Sequence, residues 1–217
     1  MLALPQLTTP RLVLRVPAVG DAEALAAFVS RNREHLRLFE PARPDSYFTP
    51  QFWAKELSIL PSRVLREELV AFILVSRVGA SPTVVGRCSL TGIVRGPFQA
   101  AYLGFGLDHA HVGQGFMTEA LQSVLGFAFG SLELHRIMAN HVPGNERSAR
   151  LLERLGFERE GYAKAYLYLD GRWQDHVLTA LTNDRQGTGA TVPRSVPRRL
   201  SFSRESHLDR PTGRDQP

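Results

Sequence analysis

Apolar residues recur along this chain with two periods, and the switches between them predict where strands give way to helices. Residues 11–16 (RLVLRV) alternate partly, as in a strand with one buried face, and Pro17 ends the run. Asp21 stands at a helix N-cap position ahead of AEALAAFVSRN, which predicts a helix to about Asn32. Residues 33–49 hold Pro41 and Pro44 and read as irregular or short helix. Thr49-Pro50 joins a cap to a first-turn proline and opens a helix to about Leu60. Three strands follow, at Glu68–Arg77, Val84–Val94 and Ala100–Leu107, with turns at 79–82 and 96–97. Phe116, Ala120, Leu121, Val124, Phe127 and Ala128 then fall at helical spacing within 113–130. Residues 134–142 predict a strand. Residues 145–155 predict a second amphipathic helix, with Gly156 at its C-terminus. Runs 160–169 and 173–181 form a hairpin across Asp170-Gly171.

The order β-α-α-β-β-β-α-β-α-β-β predicts one α/β domain over residues 1–182. From Asn183 the periodicity stops, and 183–217, rich in Pro, Gly, Ser, Thr and Arg, reads as a disordered tail. Seven arginines face four acids in that tail, so it supplies much of the net charge of +5 and the body is close to neutral. A nucleic-acid partner is therefore not required by the folded part. No leader-like apolar run opens the chain and none approaches the roughly 20 residues of a membrane span, so a soluble cytoplasmic protein is expected. Cys88 is the single cysteine, which excludes an internal disulfide; in its apolar run it reads as a small core residue, with a nucleophile as the sharper alternative.

The segment that carries chemistry is Gly104–Ala120, GFGLDHAHVGQGFMTEA. A strand runs into a loop, and Val112, Gly113, Gln114, Gly115, Phe116, Met117 and Thr118 open a helix. The first helical turn leaves N–H groups without partners and carries the positive end of the helix dipole, which together suit a diphosphate. Glycines at 113 and 115 let an anion approach the backbone. A dinucleotide fingerprint would need a third glycine and an acidic residue ending the next strand; Met117 and Thr118 stand in place of the one, and Asn140-His141 of the other.

GLDHAHVGQGFMTEAL, HRIMANHVPGNERSARLLERLGFEREGY and GRWQDHVLTAL together resemble the GNAT acetyltransferases. The likeness is to the RimJ/RimL branch, which acetylates N-termini of ribosomal proteins, and within it to the RimJ-type ribosomal-protein alanine N-acetyltransferases. It runs from about Leu7 to Thr182 and includes NREHLRLFEP and VRGPFQAAYLG. The resemblance implies a mixed, mostly antiparallel sheet of about seven strands, flanked by helices and splayed between strands 4 and 5. It implies acetyl-CoA as cosubstrate, a protein N-terminus as acceptor, no metal, and a monomer or weak dimer. Gly113 and Gly115 match the family's phosphate-loop pattern Gln/Arg-x-x-Gly-x-Gly/Ala, while Ala110 stands where Gln or Arg is usual. Phe105, Gly106 and Leu107 are implied to pair with the pantetheine amides, with 135–142 as the splayed neighbour.

Amine attack on a thioester needs a neutral amine, a polarised carbonyl and a proton or hydrogen bond for the leaving thiolate. An α-amine, with pKa near 8, is about a tenth neutral at pH 7, so an N-terminal acceptor needs only a modest base. Many relatives carry a tyrosine seven residues after the asparagine of the second helix; here that position is Leu152. The resemblance assigns Asn145 to the cofactor and Ser148, on the same helix face, to the sulfur. Read locally, Asn145 is an N-cap and Ser148 an ordinary helix residue. Glu40 is the candidate base or amine anchor, with a solvated loop carboxylate as its alternative; Tyr102 and Asp175 are weaker candidates. His109 and His111 are expected to face solvent, His135 and His176 to pack in strands, and Trp173 to be core. A small amine (polyamine, drug or amino acid) is the alternative acceptor, and a non-catalytic acetyl-CoA-binding module a third reading.

Overall fold

The computed structural model describes residues 4–79 and 81–183, so the tail 183–217, apart from its first residue, lies outside the described residues. Its elements are β1 (Gln6–Thr8), β2 (Leu12–Arg15), α1 (Ala22–Arg31), α2 (Arg33–Leu36), α3 (Pro50–Leu65), β3 (Leu69–Ser76), β4 (Thr83–Val94), β5 (Ala100–Leu107), α4 (Phe116–Gly130), β6 (Arg136–Met138), α5 (Glu146–Arg154), β7 (Glu158–Leu169) and β8 (Arg172–Thr182). They build one eight-stranded sheet in the order β1-β2-β3-β4-β5-β6-β8-β7, in which only β5 and β6 run parallel.

Eight strands, rather than about seven, are present because β1 pairs with β2 as a three-residue hairpin arm. Three residues are too few to show alternation, and Pro5 and Pro10 flank the run. The helix expected to stop near Leu60 continues to Leu65. Pro61 lies inside it and lacks the N–H of a regular turn, but Leu57, Leu60 and Val64 bury one stripe and hold the last turn to the core. Asp21 precedes α1 without capping it. Its carboxylate instead accepts from Nη1 and Nη2 of Arg15 at 2.6 Å and from the Ala18 amide at 2.8 Å.

Neighbouring strand residues face opposite sides, so the register assigns two faces. Phe72 and Cys88 are cross-strand partners on the face covered by α4, where Phe72 meets Phe127 edge-on at 5.7 Å. Eight α4 residues are buried there; fully buried Leu121 contributes about 2–3 kcal/mol of apolar burial. Ile73 pairs with Arg87 and Arg87 with Gly106 on the opposite face, beneath α1 and α3.

The expected splay lies between β5 and β6. Ala100–Tyr102 pair with Arg136–Met138, after which β5 runs on to Leu107 with no strand of the described residues on that side. The segment expected as one strand over 134–142 is regular only at Arg136–Met138, because it stays with β8 as β5 departs. Ala139 and His141 continue to bond to Thr179 and Val177.

Candidate active site

The loop after β5 is fixed from behind. Asp108 is buried and accepts the Ala110 amide at 3.0 Å and the Arg31 guanidinium. Burial works against its charge, but the Ala110 amide, Arg31 and Asn32 together hold its pKa below the usual carboxylate value. Asn32, fully buried, accepts the His109 amide at 2.9 Å. The loop then passes through Gly113 and Gly115, both at φ near +80°, where an L side chain is strained by roughly 1–2 kcal/mol. The first backbone bond of α4 runs from the Glu119 amide to the Gly115 carbonyl. The amides of Phe116, Met117 and Thr118 find no protein acceptor among the described residues. A Cβ at Gly113 would meet nothing within 4 Å. The start of α4 is thus an open row of donors, as a diphosphate site requires.

Around the splay, on the α3 face, lies a cleft of about 550 Å³. Glu40, Arg87, Phe105, Asn145, Ser148 and His176 line it, so the structure gathers four of the predicted site residues from distant parts of the chain. Gly106 turns toward the same face. A Cβ there would lie 3.8 Å from the Glu40 carboxylate and 3.7 Å from Leu36. Leu107 turns to the other face, beside Gly86.

Glu40 is no solvated loop carboxylate. Both of its oxygens lie 2.7 Å from Nη2 of Arg87, whose Nη1 donates to the Tyr47 hydroxyl at 2.6 Å. Burial disfavours the Arg87 charge, but Glu40 and Tyr47 more than offset it and raise its pKa. Both carboxylate oxygens share one guanidinium nitrogen, and each keeps lone pairs for an incoming N–H. The candidate base or amine anchor is thus tied to a cation inside the cleft. Arg87 escaped the sequence reading, although an arginine inside the apolar run VVGRCSL was the signal for it.

Asn145 does cap α5: its Oδ1 accepts the Ser148 amide at 3.1 Å. The cap and the cleft-facing position coincide. The Ser148 hydroxyl makes no hydrogen bond to the described residues. Below them, Asn140 is oriented by the Thr179 amide and donates to the Tyr166 hydroxyl at 3.2 Å. The Tyr166 ring packs 5.3 Å from His176.

Other expectations resolve differently. Trp173 is 64% exposed rather than core, because it lies one residue into β8 and leans edge-on against Tyr168 across the hairpin. His135 is exposed, whereas His176 is buried as expected. His109 is exposed, but His111 is only partly so and packs edge-on against Phe116. Asp175 is tied to the Tyr162 hydroxyl and the Ala165 amide, where it closes the β7 irregularity. Tyr102 is exposed at the point where β5 leaves β6. Cys88 is a core residue: burial pushes its thiol up to about 12, which leaves no thiolate for nucleophilic work. Among the described residues, no three His, Cys, Asp or Glu side chains converge as a metal site, and no helix is long and apolar enough to cross a membrane.

Comparison with known proteins gives a consistent picture. The Acetyltransferase (GNAT) domain family matches residues 11–158. The [Ribosomal protein uS5]-alanine N-acetyltransferase of Escherichia coli (strain K12) is 41% identical over 177 residues, covering 82% of this chain and 90% of that one. The crystal structure of the ribosomal-protein-S5-alanine acetyltransferase from Vibrio fischeri superposes with a TM-score of 0.80 at 35% identity, covering 85% of this chain and all of that one. RimJ of Mycobacterium smegmatis, solved in complex with CoA-disulfide, gives 0.75 at 27% identity, covering 85% and 89%.

Proposed function

The chain belongs to the GNAT acetyltransferase family, and we propose that this N-acetyltransferase acts on the N-terminal α-amine of a ribosomal protein, with an alanine first residue as in the uS5-directed relatives. The observation that supports the donor half is the row of amides at the start of α4 that find no acceptor among the described residues, next to a β5 edge beside which those residues place no strand. The acceptor half rests on the relatives together with the anchored carboxylate in the cleft. We place the reaction in the cytoplasm and its machinery within residues 1–182.

Acetyl-CoA supplies a thioester carbonyl open to amine attack and a thiol that can leave. The residues fit it. Val112 to Thr118 offer backbone donors to the diphosphate, and the β5 edge at Phe105–Leu107 offers peptide groups to the pantetheine amides. Asn145, which caps α5 and lines the cleft, would shape the turn beside the pantetheine arm. Glu40, held in place by Arg87, would anchor the incoming amine over the bare face of Gly106. About a tenth of an α-amine is neutral at pH 7, so the site needs to orient the nucleophile more than to deprotonate it. Ser148 lines the cleft with a hydroxyl that makes no hydrogen bond to the described residues, and it would donate one to the leaving sulfur.

Ser148→Ala is expected to lower kcat about tenfold, the value of one transition-state hydrogen bond, and to leave KM for acetyl-CoA within about twofold. Unchanged kcat removes Ser148 from the chemistry. The acceptor is tested with synthetic peptides read by mass spectrometry. A free N-terminal alanine from the uS5 sequence should gain one acetyl group, while the same peptide with a blocked N-terminus, lysine included, should gain none. Acetylation of a polyamine or amino acid with higher kcat/KM than any such peptide overturns the ribosomal-protein reading.

A further inference from the structure

We propose that Arg11, immediately before β2, is a positioning residue of the acetyl-CoA site, which orients the Gly115 amide ahead of α4 and holds the first-turn carboxylate of that helix toward the strand. The proposal rests on the reading above, that the diphosphate lies on the amides opening α4. Residues 112–118 are Val, Gly, Gln, Gly, Phe, Met and Thr, so no charged side chain of the loop itself attracts an anion. The first charge inside the helix is Glu119, in its first turn, where a carboxylate would repel a diphosphate.

Arg11 and Thr9 deal with that carboxylate. Glu119 accepts the Arg11 amide at 2.8 Å, the Arg11 Nε at 2.6 Å and the Thr9 hydroxyl at 2.6 Å. These contacts outweigh its burial and hold its pKa below the ordinary value, so its charge is satisfied toward the strand. The same guanidinium donates from Nη1 to the Gln114 carbonyl at 2.8 Å. In a planar trans peptide the carbonyl and the following N–H point in opposite directions. Fixing the Gln114 carbonyl toward Arg11 therefore points the Gly115 N–H away from Arg11. The guanidinium also lies 4.3 Å over the ring of Phe116, the first residue of α4, and its Nη2 would stand 3.3 Å from a Cβ at Gly115. One side chain thus fixes a loop carbonyl, the helix-opening ring and the first-turn acid. It does so from a segment about a hundred residues away in sequence, which ties the loop to the sheet.

The test compares acetyl-CoA with acetyl-pantetheine, which carries the same thioester but no diphosphate. In Arg11→Gln, KM for acetyl-CoA is expected to rise about tenfold, the value of a charge-assisted hydrogen bond, with kcat within about twofold of wild type and kcat/KM for acetyl-pantetheine unchanged. Arg11→Lys keeps the charge but cannot reach all three partners, and should fall between the two. If Arg11→Gln keeps the wild-type ratio of kcat/KM between the two thioesters, Arg11 has no part in diphosphate binding. A general loss of fold lowers both thioesters in step, leaves that ratio where it was, and overturns the proposal in the same way. A wild-type enzyme that uses both thioesters equally well removes the diphosphate site itself, and the role of Arg11 with it.

Discussion

Replacing Gly113 with glutamate should weaken acetyl-CoA binding by more than a hundredfold, measured by calorimetry, while the folded state melts within a few degrees of wild type. Two effects act, and their sizes differ. At φ +81° a side chain costs about 1–2 kcal/mol of backbone strain. The new carboxylate meets no protein atom, because the space outside Gly113 is open, but it stands where the diphosphate must come. Two unit charges 4 Å apart at an effective dielectric near 20 repel by about 4 kcal/mol, and the diphosphate carries more than one. Electrostatics therefore decides the outcome. Gly113→Ala, which brings the strain without the charge, should lose only about tenfold. Unchanged affinity in the glutamate variant would mean that the cofactor does not use this loop.

The second large effect is expected at Glu40. Glu40→Ala removes the only carboxylate bound to Arg87 among the described residues and leaves the Tyr47 hydroxyl as its hydrogen-bond partner there. Breaking a fully buried pair costs about 3–5 kcal/mol; here both side chains keep about a fifth of their surface, so about 2–3 kcal/mol is expected. For a domain of this size that corresponds to a melting temperature lower by about 5–10 °C. Activity separates the anchor from the base. With Glu40 as anchor, kcat/KM for the peptide falls about a hundredfold in both Glu40→Ala and Glu40→Gln, acetyl-CoA affinity holds, and the shape of the pH profile is unchanged. A profile that loses its acidic limb in Glu40→Gln would make Glu40 the base instead, and full peptide activity would remove it from the site.

What the sequence disclosed depends on how local each feature is. The α4 stripe, the hairpin at Asp170-Gly171 and the Gly113/Gly115 loop are written within a few residues, so period and turn chemistry reveal them. The splay was expected from family resemblance alone, since nothing within 134–142 says where β5 will leave it. β1 was missed because three residues carry no period. Trp173 was misplaced because a large aromatic suggests burial, whereas its site one step from a hairpin tip leaves nothing to bury it. The least legible feature was pairing across the fold. Glu40 with Arg87 spans 47 residues, and Arg11 with Glu119 spans 108; each half looks like an ordinary surface charge until the sheet brings its partner alongside.

The gap beside β5 also bears on solubility. A row of free peptide groups at the rim of a sheet invites a strand from another molecule. Here the row starts where β5 and β6 are still bonded at Ala100–Tyr102, so it opens inside a wedge rather than at a margin. A foreign strand with full side chains would have to enter a crevice closed at one end, while a thin, unbranched chain can slide in. The fold keeps a receptive backbone in its middle and guards it by shape, with no need for the charged or proline-studded border that an outer strand would require.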